Sequence, residues 1–253
     1  MEKNIWSALL LTTLAGLSTT IGSLLGLLVK KTSPRFLSAT LGFSAGIMIM
    51  VSFVELLPKS IDSIGFLSAH IGFFIGIFAI LLFDYLIPHE YVGQKDRMEN
   101  VSQDKLLRTG LFVALGIGIH NFPEGMATFA GALVDLKLGG AIALAIAIHN
   151  IPEGLAVSAP VYAATGSRSK AFWWSFLSGV SEPVGAGIAA LFLIPFLSPQ
   201  LLGWVLSAVA GIMVFISLDE LVPAARSFGQ EHISILGVIF GMMIMALSLW
   251  MLR

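Results

Sequence analysis

His120-Asn121-Phe122-Pro123-Glu124-Gly125 lies in the middle of a long apolar stretch, and 29 residues later the chain repeats it as His149-Asn150-Ile151-Pro152-Glu153-Gly154, again inside an apolar run. Each phrase carries an imidazole, an amide and a carboxylate where the flanking residues offer none. A charged side chain at the centre of a membrane helix costs roughly 2.5–3.5 kcal/mol on insertion scales, so such residues persist where they serve a site. The double occurrence argues against chance.

The composition agrees that the surroundings are lipid. The chain has 253 residues, 57% hydrophobic and 11% charged, against about 25% charged in soluble domains. That is too little polar surface to face water on all sides, and the chain reads as an integral membrane protein. A net charge of −1 gives no footprint for nucleic acid, and no nucleic-acid partner is expected. The absence of cysteine excludes disulfides, thiolate metal sites and cysteine nucleophiles. No catalytic residue and no resident cofactor is expected.

A helix needs about 20 apolar residues to cross the hydrocarbon core. Divided at its polar and proline punctuation, the chain gives eight stretches, approximately 5–29, 36–57, 66–87, 107–132, 139–162, 171–194, 200–222 and 233–252. The expected fold is therefore an all-α polytopic membrane protein with eight transmembrane helices in one domain spanning 1–253. The first stretch is too long for a signal peptide and lacks a clear small-x-small cleavage site, so it reads as a span.

Lys30, Lys31, Arg35, Lys95, Arg97, Lys105, Arg108, Arg168, Lys170 and Arg226 fall on one side of this arrangement, and Lys3, Lys59, Lys137 and Arg253 on the other. The positive-inside rule makes the first side cytoplasmic and puts both termini outside the cytoplasm. The longest connection, 88–106, becomes a polar cytoplasmic loop.

The chain also matches itself at a distance. Ala45-Gly46-Ile47-Met48 through Ser52 to Glu55-Leu56-Leu57-Pro58 in the second span corresponds to Ala210-Gly211-Ile212-Met213 through Ser217 to Glu220-Leu221-Val222-Pro223 in the seventh, an offset of 165. Gly72 and Gly76 match Gly237 and Gly241 at the same offset, and Gly16, Ser18 and Gly22 match Gly179, Ser181 and Gly185 at 163. Spans one to three thus correspond to spans six to eight. Five spans separate each pair, an odd number, so the copies cross the membrane in opposite directions. The expected order is a 3+2+3 inverted repeat, with the duplicated phrase in the two central spans. Inverted repeats recur in transporters, whose substrate sites lie near the midplane at the repeat interface.

Within each phrase, His and Glu at i and i+4 share a helix face and can hold one ion. Pro at i+3 lacks a backbone donor and crowds the carbonyl four residues earlier, that of Ile119 or Ile148. Asn at i+1 adds a neutral oxygen at the edge of the face. Glu182, in Ser181-Glu182-Pro183 of the sixth span, repeats the carboxylate beside proline, while its repeat counterpart is Thr19. Glu124, Glu153 and Glu182 therefore bring three potential negative charges to mid-membrane, yet no Lys or Arg lies between 138 and 167 or between 171 and 225. A divalent cation supplies the missing charge most simply. Imidazole, carboxylate and amide oxygen without sulfur suit Zn²⁺, Fe²⁺, Mn²⁺ or Co²⁺ better than Cu⁺. Seven possible ligands, His120, Asn121, Glu124, His149, Asn150, Glu153 and Glu182, are enough for two adjacent ions sharing Glu124 and Glu153.

Other readings use the same residues. A lone buried histidine is commonly a hydrogen-bonded core residue, but duplication with Glu at i+4 favours ligands. The glycines at 72, 76, 237 and 241 read as close-packing positions. Glu55, Asp84, Asp219 and Glu220 fall near helix ends and read as boundary residues, although the mirrored Glu55 and Glu220 keep a relay open. An intramembrane metalloprotease should carry His-Glu-x-x-His, which is absent. A proton-coupled carrier or proton channel can use Glu and His as a relay, and metal binding discriminates it.

The paired phrases with the glutamate of the sixth span resemble the ZIP (Zrt/Irt-like protein) family of divalent-metal transporters, over essentially the whole chain. The sequence is most similar to the bacterial zinc-uptake members, because both phrases read His-Asn-x-Pro-Glu-Gly and the second continues to Leu155-Ala156-Val157 and Pro160-Val161-Tyr162-Ala163-Ala164-Thr165-Gly166-Ser167. The resemblance implies import of Zn²⁺ and related ions such as Fe²⁺, Mn²⁺, Co²⁺ and Cd²⁺ as substrates, in a bacterial cytoplasmic membrane. It further implies a transport bundle of spans 1, 4, 5 and 6 and a homodimer formed by the others. Residue by residue, it assigns one metal to His120, Glu124, His149 and Glu153, and a second to Asn121, Glu124, Asn150, Glu153 and Glu182. The loop between spans three and four is often histidine-rich in the family. Here it offers only His89 and Glu90, which speaks against metal delivery by that loop.

Overall fold

The computed structural model describes residues 2–28, 33–86, 103–193 and 198–251, and all regular structure among them is helical. In chain order the helices are α1 (Glu2–Leu28), α2 (Pro34–Val51), α3 (Leu57–Ile64), α4 (Phe66–Leu86), α5 (Gln103–Val134), α6 (Leu136–Thr165), α7 (Arg168–Ile188), α8 (Pro199–Ile216), α9 (Val222–Ser227) and α10 (Glu231–Met251). Single π-helical turns at Ser52–Leu56 and Ser217–Leu221 join α2 to α3 and α8 to α9, and a third, Ala189–Leu193, extends α7. Six of the resulting rods, Ile5–Leu28, Pro34–Ile64, Gly139–Thr165, Arg168–Phe192, Pro199–Ser227 and Glu231–Met251, are long and apolar enough to cross a membrane. The molecule is a polytopic, all-helical membrane protein.

The rods begin and end where the side chains dictate. Ser33 and Ser198 cap α2 and α8, each accepting a hydrogen bond from the amide three residues on, Phe36 and Leu201, at 3.2 and 3.1 Å. Each serine is followed by a proline at the first helical position, where no donor is needed. Asp135 caps α6 through the Lys137 amide, and Ser167 caps α7 through that of Lys170. At the end of α6, Gly166 takes the left-handed conformation, φ 63°, that closes the helix.

Two spans run past the ends expected from their prolines. The stretches read as 36–57 and 200–222 continue through Pro58 to Ile64 and through Pro223 to Ser227. The reason is local. A proline has no amide hydrogen and its ring crowds the carbonyl four residues earlier. The chain widens by one residue instead of stopping, so that the Leu57 amide bonds Ser52 O and the Val222 amide bonds Ser217 O. The 88–106 loop is corrected at its end, since residues 103–106 already belong to α5. The remainder of that loop, with His89 and Glu90, lies outside the described residues.

Two sets of helices pack together. In the first, α1, α5, α6 and α7 all touch one another. In the second, α2 packs on α10 and α4 on α8, and α2 and α8 meet the first set through α6 and α5. Glycines let the backbones close. A side chain at Gly22 would collide with Ile151 O, and one at Gly185 with Phe122 O. In the second set Gly46 faces Val238 O and Gly211 faces Phe73 O, while Gly241 faces Phe43 O and Gly76 faces Ala208 O. Large apolar side chains such as Phe74, Phe78, Leu236 and Phe240 are left on the outside of α4 and α10, as lipid requires.

Candidate functional site

The centre of the first helix set holds all seven expected ligands. His120, Asn121 and Glu124 come from α5, His149, Asn150 and Glu153 from α6, and Glu182 from α7; none is more than 1% exposed. Pro123, Pro152 and Pro183 each sit inside a continuous helix. The glycine closing each phrase admits a neighbouring backbone, Gly125 that of Glu182 and Gly154 that of Thr19. This approach draws α7 and α1 against the phrases.

The pairing differs from the one that i,i+4 spacing suggests. His120 Nε2 lies 3.2 Å from Glu153 Oε1, and His149 Nε2 lies 3.2 Å from Glu124 Oε2. Each imidazole thus faces the carboxylate of the other helix. His120 Nδ1 sits 3.1 Å from Gly116 O, an atom that only accepts, so Nδ1 must carry the hydrogen. The Nε2 lone pair of that tautomer then points at a carboxylate oxygen. Two such lone pairs repel unless a proton or a metal cation lies between them.

The asparagines are held by matching bonds. Asn121 Nδ2 donates to Ser178 O at 3.2 Å and Asn150 Nδ2 to Ala15 O at 3.1 Å, and the two acceptors stand 163 residues apart in the chain, the offset of the sequence match. Asn150 Nδ2 also donates to Glu182 Oε1. With the amide nitrogens committed, the amide oxygens are left without a partner among the described residues. Asn121 Oδ1, Asn150 Oδ1, Glu124 Oε1, Glu153 Oε2 and Glu182 Oε2 are all buried without a hydrogen-bond partner among the described residues. Buried polar atoms are rarely left so, and carboxylate and amide oxygens of this kind have the chemistry of ligands for a hard or borderline cation. Among the described residues, no three His, Asp or Glu side chains are already drawn together closely enough to hold an ion. The carboxylates are turned to the facing imidazoles instead.

The structure adds residues that spacing alone did not rank. Glu55, on the first π turn, lines a narrow cavity together with Glu124 and His149. Glu220, on the second, has its carboxylate against Gly116, one helical turn before His120. The mirrored Ser52/Glu55/Pro58 and Ser217/Glu220/Pro223 phrases were the available signal. Asp84 has no described side chain.

The profile of the ZIP zinc transporter family matches residues 88–249. The chain belongs to the ZIP family. ZIP relatives along nearly the whole chain include proteins named zinc transporter ZupT from Chlorobium phaeovibrioides, 54% identical over 99% of both chains; from Streptococcus mutans, 51% over 98% of both; and from Lysinibacillus sphaericus, 49% over the full length of both. The ZIP match covers α5 to α10 almost completely, and with them all seven expected ligands.

Proposed function

We propose that this protein imports Zn²⁺, and with it Fe²⁺, Mn²⁺, Co²⁺ and Cd²⁺, into the cytoplasm of a bacterium through a binuclear site formed by α5, α6 and α7. One ion is held by His120, Glu124, His149 and Glu153, and the other by Asn121, Glu124, Asn150, Glu153 and Glu182. The observation that carries the reading is the set of five buried, unpartnered oxygens on these residues, with no lysine or arginine within 10 residues of any of them along the chain. The cation provides both the missing charge and the missing partners, and rotation of Glu124 and Glu153 away from the imidazoles opens the space for it.

The mirrored asparagine bonds, glycine contacts and π turns support a 3+2+3 inverted repeat of eight spans, with the site on its pseudo-twofold axis. Alternating access then follows from rocking α1, α5, α6 and α7 against the remaining helices. The charge bias of the loops supports extracytoplasmic termini. The family resemblance supports a homodimer through the second helix set.

The test is radioactive zinc uptake into proteoliposomes by the native protein and by Glu153→Ala, with the other divalent ions as competitors. Saturable uptake that the substitution abolishes is expected. A folded native preparation that moves no metal would instead favour a proton relay through the same His and Glu residues.

A further inference from the structure

Glu55 belongs to two cavities. On its inner side a cavity of about 10 Å³ is lined by Glu55, Glu124 and His149 among apolar residues, room for about one water molecule. On its outer side a cavity of about 310 Å³ is lined by Glu55, Pro58, Lys59, Asp62 and Ala141. A further cavity of about 240 Å³ shares Lys59 and Asp62 and reaches the ends of α5 and α8 at Val134 and Pro199. Glu55 is thus the residue common to the outer space and to the cavity beside Glu124 and His149. It is not bare, because the Lys59 ammonium is paired with it across one helical turn, and the two side chains are 30% and 15% exposed, the lysine being the wetter.

We propose that Glu55 passes incoming divalent ions to Glu124 and His149, and that Lys59 is a tethered counter-cation which each ion must displace from it. This inference rests on the transport reading above. The chemistry suits the exchange. A partly exposed Glu–Lys pair at i,i+4 is weak and salt-sensitive, and the lysine stem is flexible enough to swing its charge into the outer cavity. A divalent ion brings twice the charge of the ammonium and can take a second carboxylate, Asp62, on the same wall. A monovalent ion lacks that advantage, so the lysine biases the entrance toward divalent cations. The π turn at Ser52–Leu56 is what aims Glu55 between the two cavities. The lysine is not inherited from the sequence repeat, since Ala224 stands at the corresponding position, 165 residues on.

Zinc uptake kinetics in proteoliposomes test this with Lys59→Met, which keeps an apolar stem, Lys59→Arg, which keeps the charge, Glu55→Gln, and the double variant Glu55→Gln/Lys59→Met. Removing the competing cation is expected to lower KM for zinc about two- to fivefold, the size of a surface-pair contribution, with maximal velocity unchanged. Lys59→Arg should keep the native KM, and Glu55→Gln should raise it. In the Glu55→Gln background Lys59→Met should have no further effect. A Lys59→Met protein with native KM, or one whose KM falls equally in the Glu55→Gln background, would overturn the proposal while leaving zinc transport intact. A purely structural role for Lys59 would reduce folded protein and velocity and leave KM in place. Absence of uptake by the native protein would remove the transport reading and this inference with it.

Discussion

Asn121 and Asn150 determine which atoms the site presents. Their nitrogens are fixed on Ser178 O and Ala15 O, which leaves their buried oxygens free of partners among the described residues. Asn150→Asp keeps the oxygen but removes the donor, placing a carboxylate against Ala15 O and Glu182. Losing a buried hydrogen bond of this kind costs about 1–3 kcal/mol, so zinc uptake should fall at least about fivefold, measured as initial rate per folded transporter. Acid acts on the ligands as a whole. Metal binding requires carboxylate and neutral imidazole, and protons compete with the ion, so uptake should fall severalfold between about pH 7.5 and about pH 5.5; a flat profile would exclude ligand protonation from the cycle. The seven residues could be picked out from the chain because His, Asn and Glu are conspicuous among apolar neighbours. Their mutual pairing was not readable, because a period of 3.6 assigns a face but not the helix that the face meets.

Helix contacts carry the next level of the account. Gly22 against Ile151 O and Gly185 against Phe122 O are the same contact at positions 163 residues apart. Gly22→Val and Gly185→Val should therefore destabilise the protein by similar amounts, about 1–3 kcal/mol each as overpacking does, visible as matched falls in Tm. Gly187, whose missing side chain has open space before it, serves as the control, and its replacement should leave Tm close to native. A large loss at one mirrored site and none at the other would contradict the symmetry. Six of the eight expected spans were legible from the length of apolar runs, and return as rods long and apolar enough to cross a membrane. The ends at Pro58 and Pro223 were not, because a proline that normally ends a helix can also be absorbed by a π turn, and composition does not tell which.

At the scale of the molecule, the four helices that surround the ligands form one packed group and the rest brace it. The direction proposed for that group rests on loop charge. Because the chain has no cysteine, single substitutions report topology cleanly. A membrane-impermeant maleimide should label Lys137→Cys in intact cells and Lys170→Cys only after permeabilisation, and the reverse pattern would invert the proposed direction of transport. The claim on which the rest depends is that a metal pair sits between α5, α6 and α7. Anomalous scattering at the zinc edge from zinc-loaded crystals tests it most directly. Two adjacent peaks bridged by Glu124 and Glu153 are predicted; a single peak, or zinc bound only away from these residues, would contradict the binuclear site.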